Sequence, residues 1–171
     1  MAQAKVAAKI AFVGFPRVGK STLLKMVQGY KPPLDYKPTI GLDIGSTRLC
    51  ESVNGVIWDI GGQKNFQPLW DSFLKGANLI VTVTDSTPKN VLQTKQMVDM
   101  LARKQKTRII AIANKQDTDG HMSADRVENI LQVPTYPMVA IEKKNKQSFH
   151  MIIIEELIKA TEPEEEDDNG N

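Results

Sequence analysis

Short apolar runs alternate along this chain with longer stretches in which apolar residues recur every third or fourth position. Lys9 to Val13 is such a run, ending at Gly14, and predicts a buried first strand. Lys20 to Gln28 sets Leu23, Leu24 and Val27 on one side of a helix, and Gly29 stands where that helix stops. The next ten residues, YKPPLDYKPT, hold three prolines and no periodicity. A loop of that length in a compact domain points to a functional role. Gly41 to Glu51 and Gly55 to Asp59 read as strands joined by a turn at Val53-Asn54-Gly55, because Asn-Gly favours hairpins. Gly61-Gly62 breaks the second of them. A helix over Phe66 to Leu74, a buried strand over Leu79 to Thr84 and a helix over Lys89 to Arg103 follow. Arg108 to Ala113 then reads as strand, Ala124 to Leu131 as helix and Met138 to Ile141 as a last short strand. The final helix, Gln147 to Ala160, aligns Phe149, Ile153 and Leu157 on one face.

Strand and helix in alternation, with one early hairpin, predict an α/β domain. Its six-stranded sheet would be mostly parallel, with one antiparallel strand and helices on both faces. The 171 residues suffice for one such domain, expected over 1–160. Residues 161–171, TEPEEEDDNGN, lack apolar anchors and read as an acidic disordered tail. Six of the 20 acidic residues lie between Glu162 and Asp168, so the remainder sets 22 bases against 14 acids under a net charge of only +2. That basic body suits a polyanionic ligand. Cys50 is alone, which excludes an internal disulfide and fits a cytoplasmic setting. No apolar run approaches the ~20 residues of a membrane helix.

The sharpest chemistry is Gly14-Phe15-Pro16-Arg17-Val18-Gly19-Lys20-Ser21, which fits G-x-x-x-x-G-K-[ST] between a strand and a helix. Backbone N–H groups of such a loop curl around phosphate oxygens. Lys20 reaches the β- and γ-phosphates, and Ser21 ligates Mg²⁺. The loop alone leaves ATP and GTP open. Asn114-Lys115-Gln116-Asp117 follows a buried strand and decides between them. A carboxylate at 117 can accept two hydrogen bonds from guanine's N1–H and exocyclic amine, a pair that adenine does not offer. Asn114 can tie this loop to the phosphate loop, and the Lys115 stem can cover the base. Two further segments lie between these motifs. Thr39 ends the proline-rich loop, where its hydroxyl could close onto Mg²⁺ and a γ-phosphate. Asp59-Ile60-Gly61-Gly62-Gln63 offers a carboxylate for a Mg²⁺-bound water, a glycine amide for the γ-phosphate and a glutamine to orient the attacking water.

With these four motifs the chain resembles a Ras-superfamily GTPase from about Lys9 to Ala160. Trp58-Asp59-Ile60-Gly61-Gly62-Gln63, Pro68-Leu69-Trp70, Pro38-Thr39-Ile40-Gly41 and Asp85-Ser86 are similar to the Arf and Arf-like branch. The resemblance implies a P-loop NTPase fold, and GTP or GDP with Mg²⁺ as ligands. It implies phosphate contacts from Gly14 to Thr22 (Pro16, Arg17, Val18, Gly19, Lys20 and Ser21 among them), metal contacts from Ser21, Thr39 and Asp59, and catalysis by Gln63 with Lys20 and Thr39. Gly62 would sense the γ-phosphate. Asn114, Lys115 and Asp117 would read guanine, with the Ala140 amide on its carbonyl. Leu42, Trp58 and Trp70 would form an exposed apolar patch for effectors, exchange factors and activating proteins.

The chain also departs from that branch. Its phosphate loop, GFPRVGKST, resembles those of Obg and DRG GTPases, and Pro16 lacks an N–H. Ala2 stands where N-myristoylation needs glycine, so membrane association is not expected, nor is nucleic-acid binding without an added domain. Val139-Ala140-Ile141 is a weak form of the last guanine motif, and Leu42 stands where the branch carries an aromatic. A switch cycling between GDP and GTP with slow intrinsic hydrolysis is the reading these residues favour. A subunit that holds GTP permanently as structural glue is the alternative.

Overall fold

Alternation of side chains across each strand explains the layering of the molecule. The computed structural model describes residues 5–31 and 35–162. The expected acidic tail, save Thr161 and Glu162, lies outside the described residues. Strand β1 (Val6–Val13) runs longer than the apolar core of its sequence. Ile10 and Phe12 face one side and Ala11 and Val13 the other, all fully buried. It lies between β3 (Val53–Ile60) and β4 (Leu79–Thr84), parallel to both. Outward from β4 come β5 (Ile109–Ala113) and β6 (Thr135–Pro137), also parallel. On the other flank β2 (Leu42–Arg48) pairs with β3 antiparallel, giving the order β2-β3-β1-β4-β5-β6.

Helices α1 (Lys20–Gln28) and α5 (Lys146–Thr161) cover one face. Phe12 and Phe149 meet there edge to face, with centroids 5.9 Å apart. On the other face lie α2 (Trp70–Leu74), α3 (Pro88–Lys104) and α4 (Ala124–Leu131). Side chains start two of these helices. Thr87 and Ser123 each accept a backbone N–H of the first turn, from Asn90 and Arg126.

Three expectations need correction. The hairpin turn is not Val53-Asn54-Gly55, because β1 pairs with those residues (Val6 with Val53, Ala8 with Gly55) and draws them into β3. The chain turns over Leu49 to Ser52 instead, where the Leu49 and Cys50 amides donate to the Val53 carbonyl. The last strand is Thr135–Pro137, not Met138 to Ile141. The strand stops at Pro137, and the residues after it form a loop in which Met138 and Ala140 are buried and Ile141 is exposed. The helix expected over Phe66 to Leu74 is a 3₁₀ segment, Lys64–Leu69, running into α2. Pro68 lacks the N–H that a continuous α-helix would use there.

Candidate functional site

Every segment singled out in the sequence emerges at the carboxyl ends of the parallel strands. Gly14 follows β1, Gly61 follows β3, Asn114 follows β5 and Ala140 closes the loop after β6. Strand order reverses between β3 and β4, and open sheets of this kind bind ligands in the crevice at such a reversal. A cleft of about 340 Å³ lies there. Pro16, Arg17, Gly19, Lys20, Ser21 and Thr22 line it on one side, and Asp35 to Thr39, Gly62, Gln63 and Lys115 on the others.

Glycines let these loops touch. A side chain at Gly62 would put its Cβ 2.2 Å from the Gly14 carbonyl oxygen and 2.8 Å from the Phe15 carbonyl carbon. At Gly19, φ is +106° and a Cβ would lie 2.2 Å from Asn114 Nδ2. Asn114 uses that contact. Its Nδ2 donates to the Val18 carbonyl at 2.9 Å, fastening the loop after β5 to the phosphate loop. Lys115 adds a second tie, Nζ to the Arg17 carbonyl at 2.7 Å. Asp117 is exposed at the end of the same loop.

Lys20 is buried on the cleft floor, where its Nζ donates to the carbonyls of Gly14 and Phe15 at 3.0 and 2.9 Å. Burial lowers its pKa to about 8, while the Asp59 carboxylate pulls the other way. Beside it three oxygens converge. Ser21 Oγ lies 2.9 Å from Thr39 Oγ1 and donates to Asp59 Oδ2, and Thr39 Oγ1 donates to the same carboxylate oxygen at 3.3 Å. Burial pushes the Asp59 carboxyl up, against the pull of Ser21, Lys20 and Thr39. Its other oxygen, Oδ1, is buried without a hydrogen-bond partner among the described residues. Two hydroxyls and an incompletely paired carboxylate, all hard oxygen donors, fit Mg²⁺. Gln63 is half-buried at the cleft wall.

Two residues sit differently from their sequence-based expectation. The Ala140 amide donates to Asn114 Oδ1 at 3.0 Å, so in this arrangement it is engaged within the protein. Trp70 is 2% exposed, and its indole N–H donates to the Gly61 carbonyl at 3.2 Å. It belongs to the core, not to an exposed patch. Leu42 and Trp58 are partly buried against the same cluster, with the Lys9 ammonium 3.6 Å above the Trp58 ring.

Other contributors had no role assigned from the sequence. Ser86 is buried at φ +67°, its hydroxyl donating to the Asn114 carbonyl. The Gln116 amide donates to Ser86 Oγ and to the Met122 carbonyl. Asp85-Ser86 and Gln116 were visible as part of a family pattern, but their bracing role required the fold. Tyr36, on the cleft rim, had no signal beyond its place in the proline-rich loop.

Comparison with known proteins agrees with this geometry. Residues 1–159 match the profile of the ADP-ribosylation factor family. ADP-ribosylation factor J of Dictyostelium discoideum is 32% identical over 136 residues, spanning 77% of this chain and 71% of that protein. ADP-ribosylation factor-like protein 14 of Mus musculus is 31% identical over 131 residues, 74% and 68% of the two chains. In fold, the Arl6 BBS3 small GTPase from Trypanosoma brucei, solved with the nucleotide analogue GppNp, superposes with a TM-score of 0.73 at 19% identity. That superposition covers 91% of this chain and 100% of the other. The chain therefore belongs to the ADP-ribosylation factor family, and is a small GTPase that binds GTP and GDP with Mg²⁺, hydrolyses GTP and switches between the two states.

Proposed function

We propose a division of labour for this switch among the residues of the cleft. The observation that carries it is the meeting of the Ser21 and Thr39 hydroxyls on Asp59 Oδ2, beside an Oδ1 that is buried with no hydrogen-bond partner among the described residues. In this reading the phosphate-loop amides and the Lys20 ammonium grip the β- and γ-phosphates of GTP. Ser21 and Thr39 hold Mg²⁺, with Asp59 behind them. The ion, when bound, offsets negative charge on the phosphates. Gln63 orients the attacking water. Asn114, Lys115 and Asp117 seat guanine, and the loop at Ala140 backs Asn114.

The switch follows from what holds the moving segments. Thr39 is held in the cleft by its hydroxyl, bonded to Ser21 and Asp59, and Gly62 lies against the phosphate loop because it has no side chain. Loss of the γ-phosphate removes the reason for either to stay, so both loops relax. Hydrolysis by the chain alone is slow in this reading, and an arginine lent by a partner adds ~10³–10⁵ in rate. Exchange factors, activating proteins and effectors would read the mobile rim. Ile40, 81% exposed, and the exposed Ile44 and Leu69 offer apolar surface there.

Two substitutions test the assignment. Asp117→Ala removes two hydrogen bonds to a charged acceptor, each about 1.5–3 kcal/mol, so GTP affinity drops on the order of a hundredfold or more while ATP affinity does not. Gln63→Leu keeps GTP affinity and cuts single-turnover hydrolysis at least tenfold. Intact purine preference in the first variant, or an unchanged rate in the second, refutes the corresponding role.

A further inference from the structure

Arg17 differs from its neighbours in the phosphate loop in two respects. Its backbone sits at φ +68°, a left-handed conformation that glycine adopts freely and arginine does not. Its guanidinium carbon lies 4.3 Å from the centroid of the Tyr36 ring. Tyr36 is half-exposed, three residues ahead of Thr39, and both Arg17 and Tyr36 line the nucleotide cleft. A side chain of the phosphate loop thus crosses to the proline-rich loop in the arrangement in which Thr39 rests against Ser21 and Asp59. Among the described residues Arg17 forms no ion pair, although Asp35 lines the same cleft. The aromatic face is its partner, a contact suited to a planar cation. The backbone is held from behind by Lys115, whose Nζ donates to the Arg17 carbonyl.

We propose that Arg17 and Tyr36 form a clasp across the nucleotide cleft. It closes when the Thr39 loop is folded onto Ser21 and Asp59, and it retards escape of the triphosphate. The proposal rests on guanine nucleotide occupying this cleft. It differs from a role for Arg17 on the γ-phosphate itself, because the stacked guanidinium is committed to the ring. Glycine at position 17 would relax the backbone, so Arg17→Gly removes the clasp without adding strain.

The test is release of fluorescent GDP and of a fluorescent non-hydrolysable GTP analogue from the full chain with Mg²⁺. Arg17→Gly and Tyr36→Leu should each speed release of the analogue about two- to fivefold, the factor a solvent-accessible cation–π contact supplies. GDP release should change less. Tyr36→Phe, which keeps the aromatic face, should restore slow release relative to Tyr36→Leu. The double variant should be no faster than either single one, because each removes the same contact. Faster release in Arg17→Gly with none in Tyr36→Leu would overturn the clasp in favour of direct phosphate contact. Additive effects, or unchanged release in both, would also overturn it. Failure of the unsubstituted chain to retain either nucleotide would instead strike the guanine-nucleotide reading, and the clasp would fall with it.

Discussion

At the scale of single residues, the cleft depends on two glycines that fail differently when a side chain is added. At Gly19 a methyl group meets Asn114 Nδ2 at 2.2 Å from a left-handed backbone. Gly19→Ala should therefore separate the phosphate loop from the base loop and abolish binding of GDP and GTP alike. At Gly62 the obstruction is the backbone of Gly14 and Phe15. Gly62→Ala should push the segment off the phosphate loop, leave GDP bound and weaken a GTP analogue at least tenfold. Titration of both nucleotides against each variant checks the contrast, and an equal loss for both nucleotides in Gly62→Ala contradicts it. These positions were legible in the sequence because their chemistry restricts residue type, a glycine for close approach or a lysine or serine at fixed spacing. Tyr36 was not, because one aromatic in an aperiodic loop looks like any other. Trp70 misled for the opposite reason. An apolar residue beside a functional segment serves a surface or a core equally well, and only packing decides.

Among elements, β6 is one whose position the sequence misjudged, and its anchoring explains why. It has three residues, Thr135, Tyr136 and Pro137, flanked by backbone bonds to β5 from the Pro134 carbonyl and the Met138 amide. The fold adds a fastening that no local pattern announces. The Tyr136 hydroxyl donates to Glu156 of α5, a carboxylate with no exposed surface, and Arg108, just before β5, pairs with the same group. Burial alone would raise the Glu156 pKa. Tyr136 and Arg108 outweigh it and hold the group below its ordinary 4.5. A carboxylate depressed in the folded state adds stability that is present above the ordinary value and fades as pH falls through the lower folded one. Glu156→Gln should cost about 1.5–3 kcal/mol at neutral pH, with the gap to the unsubstituted protein narrowing below about pH 4.5. Denaturant titrations at pH 7 and pH 4 measure it, and a gap that widens in acid rules it out. Because β6 leads into the loop whose Ala140 amide holds Asn114, the same variant should also release GDP faster. The strands β1, β4 and β5 were easier to read, since each carries a short apolar run buried on both faces: Ile10 to Val13, Leu79 to Val81 and Ile109 to Ala113.

For the molecule as a whole, the proposed site lets one nucleotide bridge the phosphate loop, the Thr39 loop and the base loop. The sheet and its two helical layers carry the core, but Asn114 and Lys115 supply two of the direct ties between base loop and phosphate loop. Ligand bound only by the folded state adds RT ln(1 + [L]/Kd), about 4.1 kcal/mol at a thousand times Kd. For a chain of this size that raises Tm by roughly 8–16 °C, read by calorimetry with GTP and Mg²⁺. ATP at the same concentration should give no comparable rise, and equal protection by both would contradict guanine selectivity. The tryptophans extend this to light. Trp70 lies in the core with its N–H on the Gly61 carbonyl, beside the segment proposed to follow the γ-phosphate, while Trp58 sits half-covered beneath Lys9. A swing of Gly61 would alter the polarity around the Trp70 indole, whose N–H the Gly61 carbonyl accepts. The protein thus carries an intrinsic fluorophore beside Gly61, and its emission should change as GTP turns over, with no label attached.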